Sequence, residues 1–226
     1  MTRKMGILIL LRHGASIWNE KNLFTGWVDI PLSSKGVQES LQAAEVISKM
    51  DIDLIFTSTL IRAQMTAMLA MTDHPKIPFI LHPGQGKLDE WATIYSEETR
   101  KEMTPVRCAW QLNERMYGEL QGMNKDEMRQ KFGADQVHLW RRSFTGVPPG
   151  GESLEMTSER TIPYFNEEIY PVLKEGKNVL IAAHGNSLRA IVMMLSGLSQ
   201  SQVVALEIPT GVPWIYKFED GVWSRP

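Results

Sequence analysis

The chain has 226 residues, 43% of them apolar, with 24 Lys and Arg against 26 Asp and Glu and a formal net charge of −2. That length buries a substantial core within one α/β domain, and the balanced charge lends no support to a nucleic-acid or membrane partner. Cys108 is the only cysteine, which excludes an intrachain disulfide and fits a reducing, cytoplasmic compartment.

Arg3 and Lys4 precede an apolar run at residues 5–11. The run is too short to span a bilayer and lacks a cleavage pattern, so residues 6–11 read as a buried strand. A glycine-bearing loop follows, then a helix from Ser33-Ser34 whose apolar stripe is Val37, Leu41, Ala44 and Ile47. Residues 53–57 read as a second strand, with Ser58 as cap of the next helix and Arg62 in its first turns. Residues 73–113 are irregular and rich in Pro, Gly and charge, with a short strand at 78–81 and a short helix at 96–103. Helical patterns cover 124–132, 137–144 and 155–174, the last interrupted by Pro163 and Pro171. Residues 178–183 form another buried strand, followed by a helix carrying Leu188, Ile191, Val192 and Leu195, and by strands at 204–208 and 214–218. Strands alternating with helices imply a mostly parallel sheet covered on both faces. No repeat or long linker divides the chain, so residues 1–226 read as one domain with an irregular insertion at 73–113.

Two of the buried strands end alike, in LLRHG at residues 10–14 and AAHGN at residues 182–186. Each delivers a histidine and a glycine to a strand's carboxyl end, where open α/β sheets bind ligands. Glycine admits close backbone approach, and the helices that follow point amide donors at the same edge. The ligand so favoured is an anion. A metal would need further His, Cys or carboxylate ligands, whereas the neighbours are arginines that repel a dication.

The segments LRHGASIWN, FTGW, TSTLIRAQMT, LNERMYGELQG, WRRSF, AAHGNSLRA and IPTGVP occur in order along the chain. Together they resemble the cofactor-dependent phosphoglycerate mutases of the histidine phosphatase superfamily. The resemblance implies a three-layer α/β/α sandwich around a mostly parallel six-stranded sheet. It implies phosphoryl transfer between phosphoglycerates through a phosphohistidine primed by 2,3-bisphosphoglycerate, with no metal, in a homodimer or homotetramer. His13 matches the family nucleophile, Arg12, Arg62 and His184 its phosphoryl clamp, and Glu114 its general acid/base. Asn19 and the Gly185 amide add donors. Thr25 and Gly26 contribute loop contacts, and Arg115, Tyr117, Lys125, Arg141 and Arg142 supply a second anion subsite. Ser16 and Asn186 complete the substrate-binding set.

These roles make chemical sense. Attack on phosphorus needs a neutral imidazole, which nearby arginines enforce by lowering its pKa. Planar guanidinium suits phosphoryl oxygens better than lysine, and Glu114 is expected to have a raised pKa near phosphate. Met116 stands where many relatives have histidine, residues 73–113 are longer than in common bacterial enzymes, and residues 144–153 are shorter. Longer relatives also carry a tail over the site beyond the position of Pro226, and its lack would favour hydrolysis of the phosphohistidine. A histidine phosphatase of small phosphate esters and an inactive phosphate-binding scaffold are the alternatives. The NERMYG and WRRSF segments argue against the first. The presence of His13, Arg62, Glu114 and His184 argues against the second.

Overall fold

The computed structural model describes residues 5–82, 86–219 and 222–225; Arg3, Lys4 and Pro226 lie outside the described residues. In chain order the elements are β1 (Leu8–Arg12), α1 (Ile17–Glu20), α2 (Ser34–Ile47), β2 (Leu54–Thr57), α3 (Ile61–Ala70), β3 (Ile77–Ile80), α4 (Lys87–Trp91), α5 (Glu97–Lys101), β4 (Met103–Cys108), α6 (Lys125–Phe132), α7 (Ala134–Arg142), α8 (Leu154–Tyr164), α9 (Tyr170–Lys174), β5 (Val179–Ala183), α10 (Gly185–Ser196), α11 (Gln200–Ala205), β6 (Pro213–Glu219) and β7 (Val222–Ser224). None of the helices is long and apolar enough to cross a membrane.

The strands pair in the order β3-β4-β2-β5-β1-β6-β7. The first five are parallel, and β6 and β7 join antiparallel. Alternation along the central strands divides the core into two layers. Leu8, Leu10, Phe56, Ile181 and Ala183 face Phe165, Ile169, Leu188 and Ile191 of the α8–α10 side. Ile9, Leu11, Ile55, Leu180 and Ala182 face Ala43, Ile47, Ala67 and Ala70 of α2 and α3. The three-layer α/β/α sandwich follows from a period-2 sheet with both faces apolar. A smaller cluster of Phe24, Leu120, Met128, Val137 and Trp140 packs α6 and α7 into a separate roof.

The sheet has seven strands where six are expected. The strand expected at 204–208 is instead α11 and the coil after it. Ser199 accepts the Gln202 amide while the Gln202 side chain accepts the Ser199 amide, a capping box that nucleates a helix. β4 lies inside the segment expected to be irregular, hidden by Pro105 and Arg107, which are unusual for an inner strand. β7 adds a final hairpin strand. The expected long helix at 155–174 breaks into α8, a π-helical turn over Phe165–Ile169, and α9. Pro171 lacks the amide proton that a regular turn would use there. The helix after β2 begins at Ile61, capped by Leu60 rather than Ser58.

The parallel register aligns Arg12 with Ala183, and Thr57 with both Ala182 and Cys108. The loops after β1, β2, β4 and β5 therefore open on one edge. The loop after β1 lies directly on α2: a Cβ added to Gly36 would stand 1.9 Å from the Ala15 carbonyl oxygen, and one added to Gly14 2.2 Å from the Gly36 oxygen. Backbone atoms on both sides leave no flexible group to yield. Gly36→Ala is expected to lower the unfolding free energy by about 3 kcal/mol or more in urea denaturation; stability equal to the parent would show that the loop does not depend on this contact.

Candidate active site

At the end of β1, the His13 amide donates to the Ala183 carbonyl, 2.9 Å, which ties the histidine to β5. The Gly14 amide donates to Thr66 Oγ1 and the Ala15 amide to Glu39 Oε2, so α3 and α2 clamp the next two residues. His13 Nδ1 lies 2.7 Å from the Gly14 carbonyl oxygen. A carbonyl can only accept, so Nδ1 carries the proton and Nε2 keeps its lone pair. His13 is buried, and burial followed by the charges of Arg62 and Arg12 holds its pKa well below the usual imidazole range, against a raising effect of the Gly14 bond. The ring is neutral, with the Nε2 lone pair available.

His184 ends β5 and caps α10. It is fully buried and packs against His13 with ring centroids 4.9 Å apart. Burial, Arg62, His13, Arg160 and Arg12 lower its pKa well below 6.5. Its Nε2 meets Ser58 Oγ at 2.7 Å, and its buried Nδ1 has no hydrogen-bond partner.

Arg12 donates from Nη1 to the Ile208 carbonyl at 2.7 Å, leaving its buried Nε without a partner. Arg62, also buried, donates to the carbonyls of Gly26 and Val28. Burial pulls its pKa down to about 10, against the attraction of Glu114 and Asp29, so it stays charged at neutral pH. Both guanidiniums are thus gripped by carbonyl oxygens and keep further N–H groups free.

Glu114 arrives from the loop after β4. Its Oε1 accepts from the Arg115 amide at 2.7 Å and from the amide and side chain of Asn186 at 3.2 and 2.7 Å. Oε2 is the remaining proton site, beside Gly185. Burial pushes the carboxyl up, but the three hydrogen bonds and the charges of Arg12 and Arg62 outweigh it, and the pKa lies below the usual range. The segment is braced from behind: Arg160 pairs bidentately with Glu152 at 2.9 and 3.0 Å and donates to the carbonyls of Gln111, Asn113 and Glu114. Glu152 in turn accepts the Met116 amide. Trp27 Nε1 also donates to the Glu114 carbonyl.

A cavity of about 120 Å³ opens here, lined by Arg12, His13, Asn19, Thr25, Gly26, Arg62, Glu114, Tyr117, Lys125, Arg141, Arg142, Gly185 and Asn186, together with Leu23, Phe24 and Arg189. Six of these are cations and one is a carboxylate. Thr25 Oγ1 is a further buried polar atom without a partner. Lys125 has its pKa lowered to about 8, first by burial and then by Arg141, Arg129 and Arg12. One ring nitrogen each of His13 and His184 and a Glu114 oxygen lie within 4.8 Å of one another. Such a trio has the spacing of a chelate, but the guanidiniums around it disfavour a cation and favour a multiply charged anion.

Three expected site residues lie off the cavity wall. Ser16 caps α1, accepting the Asn19 amide while its own amide donates to Asn19 Oδ1. His184 packs against His13. Arg115 is fully buried, stacks on Tyr117 at 4.9 Å and donates to the Tyr117 hydroxyl and the Arg141 carbonyl, so it props the roof. Arg189 was legible only as part of HGNSLRA, Ser58 only as a helix cap and part of TSTLIRAQMT, and nothing in the sequence distinguishes Arg160 from an ordinary helix residue.

The family profile of the histidine phosphatase superfamily (branch 1) matches residues 8–103 and 89–224. The chain is 65% identical over 213 residues to a 2,3-bisphosphoglycerate-dependent phosphoglycerate mutase of Protochlamydia amoebophila (strain UWE25), covering 93% of this chain and 94% of that one. It is 59% identical over 220 residues to 2,3-bisphosphoglycerate-dependent phosphoglycerate mutase 2 of Arabidopsis thaliana, covering 96% of this chain and just 66% of that longer protein. A solved phosphoglycerate mutase from Bacillus anthracis str. Sterne shares the fold, with TM-score 0.73 and 20% identity over 100% of this chain and 93% of that one.

The depressed histidine pKa values set a pH dependence of stability. The unfolded chain takes up these protons near pH 6.5 and the native state does so only at lower pH, so stability is complete above about 6.5 and declines as pH falls below it. Each buried histidine contributes a slope of about 1.4 kcal/mol per pH unit in that window. His13→Asn is expected to flatten the decline between pH 6.5 and 5 by about that amount in denaturation curves; an unchanged slope would mean that His13 is not held neutral.

Proposed function

The chain belongs to the histidine phosphatase superfamily, and we propose that it interconverts 3-phosphoglycerate and 2-phosphoglycerate through a phosphohistidine on His13. The observation that carries this reading is a neutral imidazole, with Nδ1 tethered and Nε2 free, on the wall of a small cavity whose other groups are six cations and one carboxylate. The names of the relatives at 65% and 59% identity supply the substrate class. The site's orphaned buried donors, Arg12 Nε and Thr25 Oγ1, fit a ligand rich in anionic oxygens. When bound, 2,3-bisphosphoglycerate supplies the phosphoryl group that primes His13, held by Arg12 and Arg62 at one end and Lys125, Arg141 and Arg142 at the other. A cytoplasmic setting agrees with the single cysteine.

The transfer follows from what each group can do. His13 Nε2 attacks phosphorus in line as the phosphorus–oxygen bond to the departing hydroxyl breaks, and Arg12 and Arg62 hold the equatorial oxygens. The departing oxygen takes a proton from Glu114 Oε2. Phosphoryl charge beside Glu114 raises its pKa, so that the carboxyl holds the proton it delivers. In the reverse step the same carboxylate accepts the proton of the incoming hydroxyl. Asn186 and the Arg115 amide keep Oε1 engaged, so Oε2 alone moves the proton.

Incubation with 2,3-bisphosphoglycerate and 3-phosphoglycerate should form 2-phosphoglycerate with little free phosphate. Dominant phosphate release would replace this reading with hydrolysis, and no turnover would leave a phosphate-binding scaffold. His13→Ala should abolish acid-labile protein phosphorylation and cost on the order of 10³-fold or more in kcat. Label persisting on another residue would overturn the nucleophile.

Lys125 generates a second expectation. It is charged below about pH 8 and loses its charge above that, so anion capture by the free enzyme weakens there. The kcat/KM for 3-phosphoglycerate should fall as pH rises through about 8, and Lys125→Met should raise KM about tenfold at pH 7 and remove that limb. A limb that survives in the variant assigns it to another group.

A further inference from the structure

Ser58 immediately follows β2 at the carboxyl edge of the sheet and is fully buried. Its Oγ accepts the Leu60 amide at 3.1 Å and lies 2.7 Å from His184 Nε2. The amide can only donate, so the hydroxyl proton has one acceptor among these partners, the ring nitrogen. The opposite arrangement, with Nε2–H donating to Ser58, would strand the hydroxyl proton in the core. It would also leave His184 Nδ1 as a bare lone pair. That Nδ1 is fully buried and has no hydrogen-bond partner, on a ring packed against the nucleophile.

We propose that Ser58 is a positioning residue: its hydroxyl donates to His184 Nε2, which holds neutral His184 in the Nδ1–H tautomer and turns Nδ1 into a donor for a phosphoryl oxygen on His13. This deepens, and rests on, the phosphohistidine reading of the site. The two histidines then have complementary forms. Gly14 fixes the proton of His13 on Nδ1, which frees Nε2 to attack; Ser58 fixes the proton of His184 on Nδ1, which frees it to donate. Tautomer control matters here because His184 is neutral: burial and the charges of Arg62, His13, Arg160 and Arg12 keep a second proton off the ring. An imidazolium would donate from both nitrogens and need no serine. A neutral ring in the wrong tautomer would present a lone pair to anionic oxygens and repel them.

The tautomer can be read directly by ¹⁵N NMR of histidine-labelled protein at neutral pH. Wild type should show His184 with a protonated Nδ1 and an unprotonated Nε2 of the hydrogen-bonded type. Ser58→Ala should lose that signature, bind orthovanadate more weakly, and show kcat lowered on the order of 10-fold to 100-fold with KM changed far less. Ser58→Thr, which restores the hydroxyl, should recover both the signature and most of the kcat. Wild type with the proton on Nε2 overturns the proposal, as does Ser58→Ala that keeps the Nδ1–H signature and near-parental kcat. If Ser58→Ala does not fold, the wild-type spectrum and the threonine variant still decide. The spectrum and vanadate binding are independent of substrate identity. Wild type with Nδ1–H and tight vanadate binding but no phosphoglycerate turnover would support Ser58's part and overturn only the substrate assignment.

Discussion

Cations held by backbone carbonyls are the constraint on which this site depends. Arg12 is gripped by the Ile208 carbonyl, Arg62 by Gly26 and Val28, and Arg189 by Leu206. A buried guanidinium left without partners would be prohibitively costly. A carboxylate partner would remove that cost and also cancel the charge. A carbonyl dipole satisfies the N–H groups and leaves the full positive charge in place. Glu207 pairs with Arg142 and Arg189 at the rim, but Arg12 and Arg62 keep their charge aimed at the cavity, with Glu114 as the one carboxylate of its lining, and the donors need no reorganisation when charge arrives.

The same field sets the protonation of the reacting groups. Burial, and after it this field, keeps His13 and His184 neutral; hydrogen bonds from Arg115 and Asn186, and after them the same charges, hold the Glu114 carboxyl below its usual range. The nucleophile is therefore ready before substrate binds, whereas the acid is not. Neighbours built for other purposes complete the arrangement. The Arg160–Glu152 pair is set back from the cavity, yet it grips the carbonyls and amide of residues 111–116 that carry Glu114. A bidentate pair this sheltered resists both water and side-chain motion better than an exposed one. Its role here is to keep a carboxylate oriented toward a charge that pulls on it.

The parts of the fold that were legible in the sequence are those governed by local pattern. Both His-Gly strand ends, the α2 cap at Ser33 and the interruption of the helix ahead of Pro171 follow from residues within a few positions, whereas Pro163 is accommodated inside α8. What was hidden depended on distant partners. β4 reads as a polar loop because Thr104, Pro105 and Arg107 find their environment only between β2 and β3. In the site, the cavity-facing cations were legible through their motifs. Arg115 sits in the same motif as Glu114 but turns onto Tyr117 and the Arg141 carbonyl of α7. Arg160 carried no sequence signal, since the Glu152 carboxylate and the carbonyls of residues 111–114 converge on it only once the loop after β4 lies against α8. The direction of the Glu114 shift was also illegible: three donors to one carboxylate oxygen exist only after β4 and α10 meet.

In the proposed reaction, the lowered Glu114 pKa bears on selectivity against water. A proton sits on Oε2 only while phosphoryl charge lies between it and the arginines, so the acid form exists only when there is a departing oxygen to protonate. After transfer to His13, the carboxylate beside the phosphohistidine activates whichever hydroxyl is nearest. A water molecule and a phosphoglycerate hydroxyl are equivalent to Oε2 as proton sources. What separates them is occupancy of the cation-lined far wall by Lys125, Arg141 and Arg142, because only a ligand with a second anionic end is held there. In the proposed reaction, preference for transfer over hydrolysis rests on residence of the sugar acid at Lys125, Arg141 and Arg142 rather than on the chemistry at His13: the reacting groups lie at the sheet edge, and these cations on α6 and α7.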